Sequence, residues 1–450
     1  MKITAVILAA GQGTRMRSEL PKVLHSLVGR PMALYSLEAA QQATGTTPVM
    51  VIGYEAEMVQ QAIGEAARYV IQEPQLGTAH ALMQAEPLLR QEGGLVLVTT
   101  ADMPLIQTET YQRLIQAQQA HTGPVTLLSA MADTSSDFGR VLRDADGRVQ
   151  AVVEVAQASE AQLAIREVNT SVYCFAANWL WDALRRIPLS PKGEYYLTDT
   201  VGLAVSEGLS VQAVTVEDPE EALGINTRVQ QAQAEAALRQ RINREWMLAG
   251  VTLIDPATTY IEPGVRIGAD TTIWPDTFLQ GVTEIGGNCT IGPNAILRDT
   301  RVGDRCKVLA SVLEKAVLED NVDIGPFGHL RKGAHLAQGV HMGNFGEVKD
   351  SYLGPGTKMG HMSYVGNATI GASVNIGAGT VTCNFDGEKK HPTEIGAGAF
   401  IGSDTMLVAP IKVGEGAHTG AGAVVTKDVP PDTLAVGMPA RAIRKLKKVV

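Results

Sequence analysis

The sequence has few cysteines, no long apolar run and no excess of positive charge. Its four cysteines, Cys174, Cys289, Cys306 and Cys383, are scattered without CxxC or other paired spacing, which predicts a reducing, cytoplasmic location. No apolar run approaches the roughly 20 residues needed to cross a bilayer, so no membrane span is predicted. The formal net charge of −9 argues against a general nucleic-acid binder.

The remaining composition is that of a large globular chain. Its 450 residues are 45% apolar and 19% charged, which predicts two or three domains with sizeable cores. Over residues 1–226, strand-like apolar runs at 3–8, 49–52 and 95–99 alternate with helical stretches at 55–67, 78–89 and 109–120. This alternation predicts a parallel α/β sheet that binds its ligands at the carboxyl ends of the strands.

The first predicted strand runs into a glycine-containing loop, residues 8–16, with the sequence Leu-Ala-Ala-Gly-Gln-Gly-Thr-Arg-Met. Glycine and alanine allow backbone N–H groups to approach an anion closely, and Arg15 adds charge-assisted hydrogen bonds to phosphate. The loop lacks the third glycine of a dinucleotide fingerprint and the Gly-Lys-Ser/Thr of a P-loop NTPase. Neither of those nucleotide-binding classes is therefore predicted.

A connector over residues 227–248 is rich in Ala, Gln, Arg and Glu, and predicts a long helix between two domains. Asn226 or Thr227 can cap it, and Leu238, Ile242 and Trp246 form a narrow apolar stripe. A coiled-coil partner site is the alternative, but one short stripe supports it poorly.

The second half carries an aliphatic residue at every sixth position. The first uninterrupted run is Ile261, Ile267, Ile273, Leu279, Ile285, Ile291 and Leu297. Further runs in shifted phase continue over nearly all of residues 249–450. Neither a helix nor an amphipathic strand has period six, whereas a hexapeptide β-helix has one short strand per six residues.

Three strands of this period predict about 18 residues per coil. We call the aliphatic residues at every sixth position the ladder. Arg331 and Lys349 are separated by one such coil and each follows a ladder residue, so they are expected to stack on adjacent coils as a phosphate site. His329, His335 and His341 follow one another at the ladder spacing, which puts them on three different faces and argues against a metal cluster. The ladder breaks between 382 and 395, so residues 383–393 are predicted to protrude as a loop.

The first half resembles the sugar-nucleotide pyrophosphorylases. The loop at 8–16 and Pro-Lys-Val-Leu at 21–24 are similar to that family's signature, and further segments around positions 76–81, 101–105, 138–140, 153–154, 168–170, 193–199 and 224–226 follow in its order. The resemblance implies that Asp102 and Asn226 bind Mg²⁺ and that Gln72 belongs to a uracil-recognition segment. The nucleotide and sugar-phosphate contacts it implies are Leu8, Ala9, Ala10, Gly11, Arg15, Lys22, Gln72, Gly77, Thr78, Gly139, Glu154, Asn169 and Asn226.

Along its full length the chain resembles the bacterial bifunctional N-acetylglucosamine-1-phosphate uridyltransferase/glucosamine-1-phosphate acetyltransferase family. Gly-His-Met-Ser-Tyr-Val-Gly at 360–366 matches its acetyltransferase site, which implies His361 as the general base for an attacking amine. The implied glucosamine-1-phosphate contacts are Arg331, Lys349, Tyr364, Asn375 and Lys390. The implied acetyl-CoA contacts are Ala378, Asn384, Phe385, Ser403 and Ala421.

The resemblance implies a Rossmann-like α/β nucleotidyltransferase domain over residues 1–226, a linker helix over 227–248 and a left-handed parallel β-helix acetyltransferase domain over 249–450. Glucosamine-1-phosphate would be acetylated from acetyl-CoA. The product would then receive UMP from UTP with Mg²⁺, releasing pyrophosphate and forming the UDP-N-acetylglucosamine used for peptidoglycan and lipopolysaccharide. A homotrimer is also implied, with CoA bound between prisms.

The chain departs from the family pattern at four places. Thr100-Ala101 precedes Asp102 where the family often has Tyr-Gly, and Glu154 is followed by Val-Ala-Gln rather than soon by Lys. Phe385 stands where Tyr is common. Residues 437–441 replace a segment that often carries a CoA-contacting Arg, for which Arg441 or the basic residues at 444–448 are the candidates.

Two alternatives remain open. A single-activity pyrophosphorylase, such as an ADP-glucose type, would use the β-helix only to oligomerise or regulate, and the charged and catalytic set on the β-helix argues against it. A non-enzymatic nucleotide-exchange subunit would have a degenerate first site, which the intact loop at 11–16, Lys22 and Asp102 disfavour.

Overall fold

The chain folds into two compact units, Met1–Leu238 and Arg239–Val450. The computed structural model describes residues 1–132 and 138–445. Within those ranges no helix is both long and apolar enough to cross a membrane.

The first unit is organised around a nine-stranded sheet, beside which β2 and β3 form a separate two-stranded ribbon. The strands are β1 (Ile3–Leu8), β2 (Ser26–Leu27), β3 (Arg30–Pro31), β4 (Val49–Ile52), β5 (Arg68–Ile71), β6 (Leu95–Thr100), β7 (Val125–Met131), β8 (Arg140–Arg143), β9 (Val149–Val153), β10 (Glu167–Ala176) and β11 (Val211–Thr215). The main path across the sheet is β11-β7-β10-β6-β1-β4-β5, and the β8–β9 hairpin pairs with β10.

Nine α-helices accompany the described strands. They are α1 (Met32–Thr44), α2 (Ala56–Ile63), α3 (Thr78–Met83), α4 (Glu86–Leu89), α5 (Thr108–Ala120), α6 (Glu160–Leu163), α7 (Ala177–Leu184), α8 (Asp199–Ser206) and α9 (Arg228–Leu248). Short 3₁₀ helices occur at Thr14–Met16, Lys22–Leu24, Gly64–Ala66, Val155–Gln157, Pro219–Ala222 and Pro256–Thr258. Two apolar cores, one on each side of the sheet strands, include Ala5, Ile7 and Leu97 on one side and Val6, Val96 and Val98 on the other.

The sheet differs from the expected all-parallel arrangement. β1, β4 and β6 are parallel neighbours where the apolar runs predict strands. β10, however, runs antiparallel to both β6 and β7, so the sheet is mixed. Antiparallel neighbours need no helical crossover, and the β-α alternation used for the prediction carries no signal for them.

The expected helix over residues 78–89 is divided into α3 and α4. Pro87 lies in the first turn of α4. Proline has no N–H to continue the backbone ladder and is tolerated only in the first turn of a helix. The expected helix is therefore interrupted: α3 ends at Met83, and α4 begins at Glu86, one residue before Pro87.

The long helix α9 begins directly after Thr227. The Thr227 hydroxyl accepts a hydrogen bond from the Gln230 N–H at 3.3 Å, and the Gln230 side-chain oxygen accepts one from the Asn226 N–H at 2.8 Å. This reciprocal arrangement stabilises the helix start, because the first N–H groups of a helix have no partner within it. Leu238 and Ile242 of the apolar stripe are buried.

The second unit is a β-helix with three parallel sheets, which we call the first, second and third faces. The first face contains Thr252–Leu253, Thr272–Ile273, Thr290–Ile291, Lys307–Val308, Asp323–Ile324, His341–Asn344, Lys358–His361, Asn375–Ile376, Phe400–Ile401, His418–Thr419, Thr433–Gly437 and, paired antiparallel to it, Ala440–Lys445. The second face contains Thr259–Ile261, Thr277–Gln280, Ile296–Arg298, Val312–Glu314, His329–Leu330, Glu347–Lys349, Tyr364–Gly366, Val381–Cys383, Met406–Val408 and Val424–Val425. The third face contains Arg266–Ile267, Glu284–Ile285, Arg301–Val302, Val317–Leu318, Ala334–Leu336, Ser351–Leu353, Ala368–Ile370, Thr393–Ile395 and Ile411–Val413.

The interior of the β-helix is filled by the sixfold ladder. On the second face the buried stack is Ile261, Leu279, Leu297, Leu313, Leu330, Val348, Val365, Thr382, Leu407 and Val425. The coils vary around the predicted length, and the first coil, which pairs Thr252 with Thr272, exceeds it. Thr272 pairs with Thr290 after a coil of the predicted length, whereas the coil that pairs Ile296 with Val312 is shorter. Shortened corners therefore shift the phase of the ladder along the chain.

One coil is enlarged by a loop between the strands Val381–Cys383 and Thr393–Ile395. Asp386 organises this loop: its Oδ1 accepts hydrogen bonds from the N–H groups of Glu388 and Lys389 at 2.9 and 2.8 Å. His391 Nε2 lies 2.5 Å from Asp386 Oδ2. The Lys389 N–H, then the His391 side chain and the Glu388 N–H, hold the pKa of Asp386 far below its usual range.

Candidate active sites

The carboxyl ends of β1 and β6 lie side by side at one edge of the first sheet. The Ala101 N–H donates to the Leu8 carbonyl at 3.0 Å, which joins the end of β1 to the loop after β6. The Ile225 N–H donates to the Asp102 carbonyl at 2.9 Å, which brings Asn226 to the same edge. Ligands of α/β sheets bind at such an edge.

A cavity of about 490 Å³ opens at this edge. The sequence-predicted residues that line it are Leu8, Ala9, Ala10, Gly11, Arg15, Lys22, Gln72, Gly77, Thr78 and Asp102. Asn226 lines a neighbouring cavity of about 610 Å³, to which Arg15 also belongs. The candidates for phosphate, base and metal contacts thus share one region of the first unit.

Lys22 lies between the two candidate metal ligands. Its Nζ is 2.5 Å from Asp102 Oδ2 and 3.1 Å from Asn226 Oδ1. Burial raises the pKa of Asp102, but the charge and hydrogen bond of Lys22 outweigh burial and lower it overall. Asp102 is therefore a carboxylate at neutral pH. The Lys22 ammonium already contacts one side-chain oxygen of Asp102 and one of Asn226. Carboxylate and amide oxygens are ligands that Mg²⁺ prefers, so Asp102 and Asn226 fit a magnesium ion.

Two glycines allow the backbone to close around the cavity. Gly13 has φ +67°, and a Cβ there would lie 2.5 Å from Lys22 Cβ. Gly77 has φ +97°, and a Cβ there would lie 2.6 Å from the Tyr195 carbonyl oxygen. Only glycine adopts these conformations without strain and leaves room for both neighbours.

The other predicted sugar contacts are held by β8 to β10 and by α8. The Asn169 N–H donates to the Gly139 carbonyl at 2.9 Å, and Asn169 Nδ2 donates to the Tyr173 hydroxyl at 2.8 Å. Asn169 is 2% exposed, and its Oδ1 has no hydrogen-bond partner among the described residues. A buried acceptor without a partner suits a donor group of a ligand.

Glu154 is a carboxyl group in an acidic environment. The Thr198 hydroxyl donates to Glu154 Oε1 at 3.0 Å. Burial, followed by the charges of Asp199 and Glu194, raises the pKa of Glu154 in spite of that hydrogen bond. The folded protein therefore disfavours the ionised form of Glu154, which is consistent with a side chain that serves ligand binding rather than stability.

We expect Glu154→Gln to raise the melting temperature of the first unit at pH 7.5. A raised folded-state pKa means that the fold loses stability as pH rises from the unfolded pKa through the folded one, and the amide removes this loss. Each kcal/mol gained corresponds to about 2–4 °C for a unit of this size. Calorimetry at pH 7.5 and pH 4 measures the effect, which should shrink at pH 4. Exposed Glu65→Gln is the control, and a lower melting temperature for Glu154→Gln at pH 7.5 would contradict the expectation.

On the β-helix, His361 ends a first-face strand and lies beside Asn344 on the preceding coil. The two residues are Cα partners, and His361 Nδ1 is 2.5 Å from Asn344 Oδ1. A hydrogen bond from Nδ1–H to this amide oxygen leaves Nε2 with the lone pair that a base requires. Sequence reasoning missed Asn344, because coils of the uniform predicted length put Gly343 opposite His361.

We expect Asn344→Ala to lower kcat for acetyl transfer about threefold to tenfold, the value of one hydrogen bond. Asn344→Asp is the matched variant because it keeps an acceptor at the same position. Its activity should persist, with the acid limb of the rate profile moved to higher pH, because a carboxylate stabilises the imidazolium. Steady-state kinetics from pH 5.5 to 9 measure both effects, and identical profiles for all three proteins would refute the role.

Three cations gather on the second face and the enlarged coil. Leu330 and Val348 are Cα partners, so Arg331 and Lys349, which follow them, lie on adjacent coils. The Lys390 ammonium, by contact and charge, and then the charge of Arg331 lower the pKa of Lys349. Arg331 also donates to Glu347 at 2.8 Å, a partner that sequence reasoning missed. Mutually repelling cations of this kind suit a bound phosphate.

The histidines at 329, 335 and 341 lie on the second, third and first faces, as their spacing predicts. Each one faces a carboxylate of the preceding coil, the pairs being His329 with Glu314, His335 with Glu319 and His341 with Asp323. Within residues 1–132 and 138–445, no three His, Cys, Asp or Glu side chains are grouped so that they could hold a metal ion.

The predicted acetyl-CoA contacts differ in their position on the coils and in their exposure to solvent. Ala378, Ser403 and Ala421 occupy one corner on successive coils, since the Asp404 N–H donates to Ala378 O and the Gly422 N–H donates to Ser403 O. Phe385 is exposed. Asn384 is buried and its Nδ2 donates to Asn367 Oδ1 at 2.7 Å, so its side chain anchors the loop.

The candidate replacements for a CoA-contacting arginine lie at the end of the chain. Arg441 and Arg444 are exposed on the last strand, Ala440–Lys445. Positions 446–448 of the predicted basic segment lie outside the described residues.

Known proteins match the chain along nearly its whole length. A nucleotidyl transferase family model matches residues 4–276, a bacterial transferase hexapeptide model of six repeats matches 392–427, and a model of the hexapeptide repeat of succinyl-transferase matches 282–312. These matches confirm the predicted order of an α/β nucleotidyltransferase fold and a left-handed β-helix.

Curated relatives extend over both units. The bifunctional protein GlmU of Heliobacterium modesticaldum is 47% identical over 436 residues, which cover 97% of this chain and 95% of the relative. GlmU of a Geobacillus species is 44% identical over 446 residues, with 99% and 97% covered. GlmU of Trichlorobacter lovleyi is 47% identical over 436 residues, with 96% and 95% covered. The chain therefore belongs to the GlmU family of bifunctional proteins.

Proposed function

We propose that the chain carries two transferase sites that act in sequence in the biosynthesis of UDP-N-acetylglucosamine. The β-helix acetylates glucosamine-1-phosphate with acetyl-CoA. The α/β unit transfers UMP from UTP to the N-acetylated product and releases pyrophosphate. The observation that carries this proposal is the presence of a separate, chemically distinct constellation on each unit: Lys22 with Asp102 and Asn226 on one, and His361 with a cationic cluster on the other.

Uridylyl transfer requires positioning and cationic stabilisation rather than a protein nucleophile. A phosphate oxygen of the sugar attacks the α-phosphorus of UTP, and negative charge accumulates on the transferred group. Arg15 and Lys22 bind phosphate oxygens, and Glu154 and Asn169 orient the sugar. Asp102 and Asn226 would hold Mg²⁺, which would supply further neutralisation of phosphate charge.

Acetyl transfer requires a neutral amine. His361 Nε2 takes one proton from the glucosamine ammonium, and the neutral amine attacks the thioester carbon. The second amine proton passes to the CoA sulfur as the C–S bond breaks, so CoA leaves as the thiol. Arg331, Lys349 and Lys390 bind the phosphate of the sugar, while Tyr364 and Asn375 contact the ring. The exposed corner formed by Ala378, Ser403 and Ala421, with Phe385, is assigned to acetyl-CoA.

The uridyltransferase part is assigned to residues 1–226, the linker helix to 227–248 and the acetyltransferase part to 249–450. The hexapeptide match supports a homotrimer that binds CoA between prisms. A cytoplasmic location follows from the substrates, because UTP and acetyl-CoA are cytoplasmic metabolites. The single-activity alternative is disfavoured by the cations and His361 on the β-helix.

Two assays on the intact protein test the proposal. One follows CoA release from acetyl-CoA with and without glucosamine-1-phosphate, and the other follows pyrophosphate release from UTP with and without N-acetylglucosamine-1-phosphate. Both signals should depend on the sugar phosphate and on the same polypeptide. Pyrophosphate release without any CoA release would favour the single-activity alternative instead.

A further inference from the structure

The segment 76–81, which belongs to the implied uracil-recognition region, contains His80, a residue that the proposed mechanism does not use. His80 lies in α3, and its ring stacks on Tyr195 with centroids 6.5 Å apart and an interplanar angle of 28°. Its Nδ1 is 3.1 Å from Nε2 of Gln72. Gln72 is 5% exposed and lines the 490 Å³ cavity, whereas His80 is not among the described residues that line it. His80 therefore contacts the candidate base-reading residue from behind.

Hydrogen-bond chemistry fixes the orientation of the Gln72 amide. Its Nε2 lies 2.9 Å from the carbonyl oxygen of Gly77, and a carbonyl oxygen only accepts hydrogen bonds, so the NH₂ group must face Gly77. The second hydrogen of the same NH₂ group points to His80 Nδ1. That nitrogen is consequently an acceptor, and the ring carries its proton on Nε2.

Gln84 also presents an NH₂ group to the ring, and a neutral imidazole has only one acceptor nitrogen, so Gln84 competes with Gln72 for it. Gln84 Nε2 lies 3.3 Å from His80 Nε2, but it also lies 3.0 Å from the His80 carbonyl oxygen and donates there. Gln84 thus has a hydrogen bond without using the ring, and the ring remains free to accept from Gln72.

This orientation leaves a defined pair of groups for the base. Both amide hydrogens of Gln72 are used, and within the described part of the chain neither Gln72 Oε1 nor the Gly77 N–H has a hydrogen-bond partner. Both residues line the cavity. Uracil presents an N3–H donor beside carbonyl acceptors, which complements one acceptor and one donor. Cytosine presents an N3 lone pair, which opposes the Gln72 acceptor, and its amino group replaces one of the two carbonyl acceptors that flank N3 in uracil.

We propose that His80 is a positioning residue for base selection: by accepting the second amide hydrogen of Gln72, it keeps Gln72 Oε1 directed at the base and makes the site prefer UTP to CTP. The inference rests on the proposed uridylyl transfer and deepens it. Without His80, the Gly77 carbonyl is the remaining hydrogen-bond partner that orients the Gln72 amide, so Gln72 Oε1 is held less firmly toward the base.

The test compares kcat/KM for UTP and CTP. His80→Phe keeps a ring against Tyr195 and removes the acceptor, so the UTP-to-CTP ratio should fall about threefold to tenfold, the worth of one hydrogen bond. The same substitution in a Gln72→Ala background should leave the ratio unchanged, because there is no amide to orient. Gln84→Ala is the control and should keep the parental ratio.

The melting transition of the first unit reports whether each variant is folded, because His80 belongs to that unit. His80→Leu provides a second protein without the acceptor if His80→Phe is unfolded or inactive. A parental ratio in an active His80→Phe or His80→Leu variant overturns the inference. An equal fall in the Gln72→Ala background also overturns it, because the effect would not pass through Gln72. If the parent releases pyrophosphate from neither nucleotide, the proposed function itself fails, which is a different result.

Discussion

His361→Ala lowers kcat for acetyl transfer by about 10²–10⁴-fold, the range for loss of a general base, and leaves uridylyl transfer at the parental rate. The expected separation follows from the two units, since His361 belongs to the β-helix and its side chain pairs with Asn344 of the same unit. The ring is exposed, so its removal costs little packing. CoA release and pyrophosphate release, measured on one preparation, give both rates.

The residual acetyl transfer of His361→Ala should rise with pH between 7 and 9. Without a base, only the fraction of substrate amine that is already neutral can attack the thioester, and that fraction grows with pH. His341→Ala is the matched control: it removes an exposed histidine one coil earlier on the same face, where the partner is Asp323. Full CoA release by His361→Ala, or an equal loss in His341→Ala, would remove His361 from its assigned role.

The periodic part of the fold was accessible from sequence because its cause is local. A β-helix needs one buried residue per strand, so the sixfold ladder gives the fold, the three faces and the position of the loop after Val381–Cys383. The same ladder gives the adjacency of Arg331 and Lys349, because their coil has the predicted length. It fails for Asn344 and His361, because their coil is shorter by a single position. Corner shortening is set by local turns and appears in the sequence as the shifted phase of the later runs, which a uniform coil length ignores.

The first unit was less accessible because its contacts are distant in sequence. Lys22 meets Asp102 and Asn226 through hydrogen bonds that join residues 80 and 204 positions apart. The antiparallel β10, which carries Asn169, has no signal in the β-α alternation, so its site residue was recognised only through the family resemblance. Glu347 was missed, and His80 was recognised only as part of the segment 76–81, for a related reason. Each acts through a neighbour, and no spacing rule relates such residues to a ligand.

Asp102→Ala produces the converse of the His361 result: uridylyl transfer falls by about 10²–10³-fold, the scale for loss of one preorganised electrostatic group, and acetyl transfer stays parental. The substitution also leaves the Lys22 ammonium without its ion-pair partner, and that side chain is only 13% exposed. A lower melting temperature of the first unit should therefore accompany the kinetic loss, because an unpaired cation remains partly buried.

Asp102→Asn separates charge from shape in this result. The amide keeps an oxygen for Lys22 and for a cation but removes the negative charge, so stability should recover more than activity. Uridylyl transfer by Asp102→Asn should also need more Mg²⁺ to reach its maximum, because a neutral oxygen binds a hard cation more weakly than a carboxylate. Exposed Asp182→Asn on α7 is the control and should match the parent in magnesium titrations. If Asp102→Ala and Asp102→Asn both transfer UMP within twofold of the parent at every Mg²⁺ concentration, the reaction does not take place at the edge formed by β1 and β6.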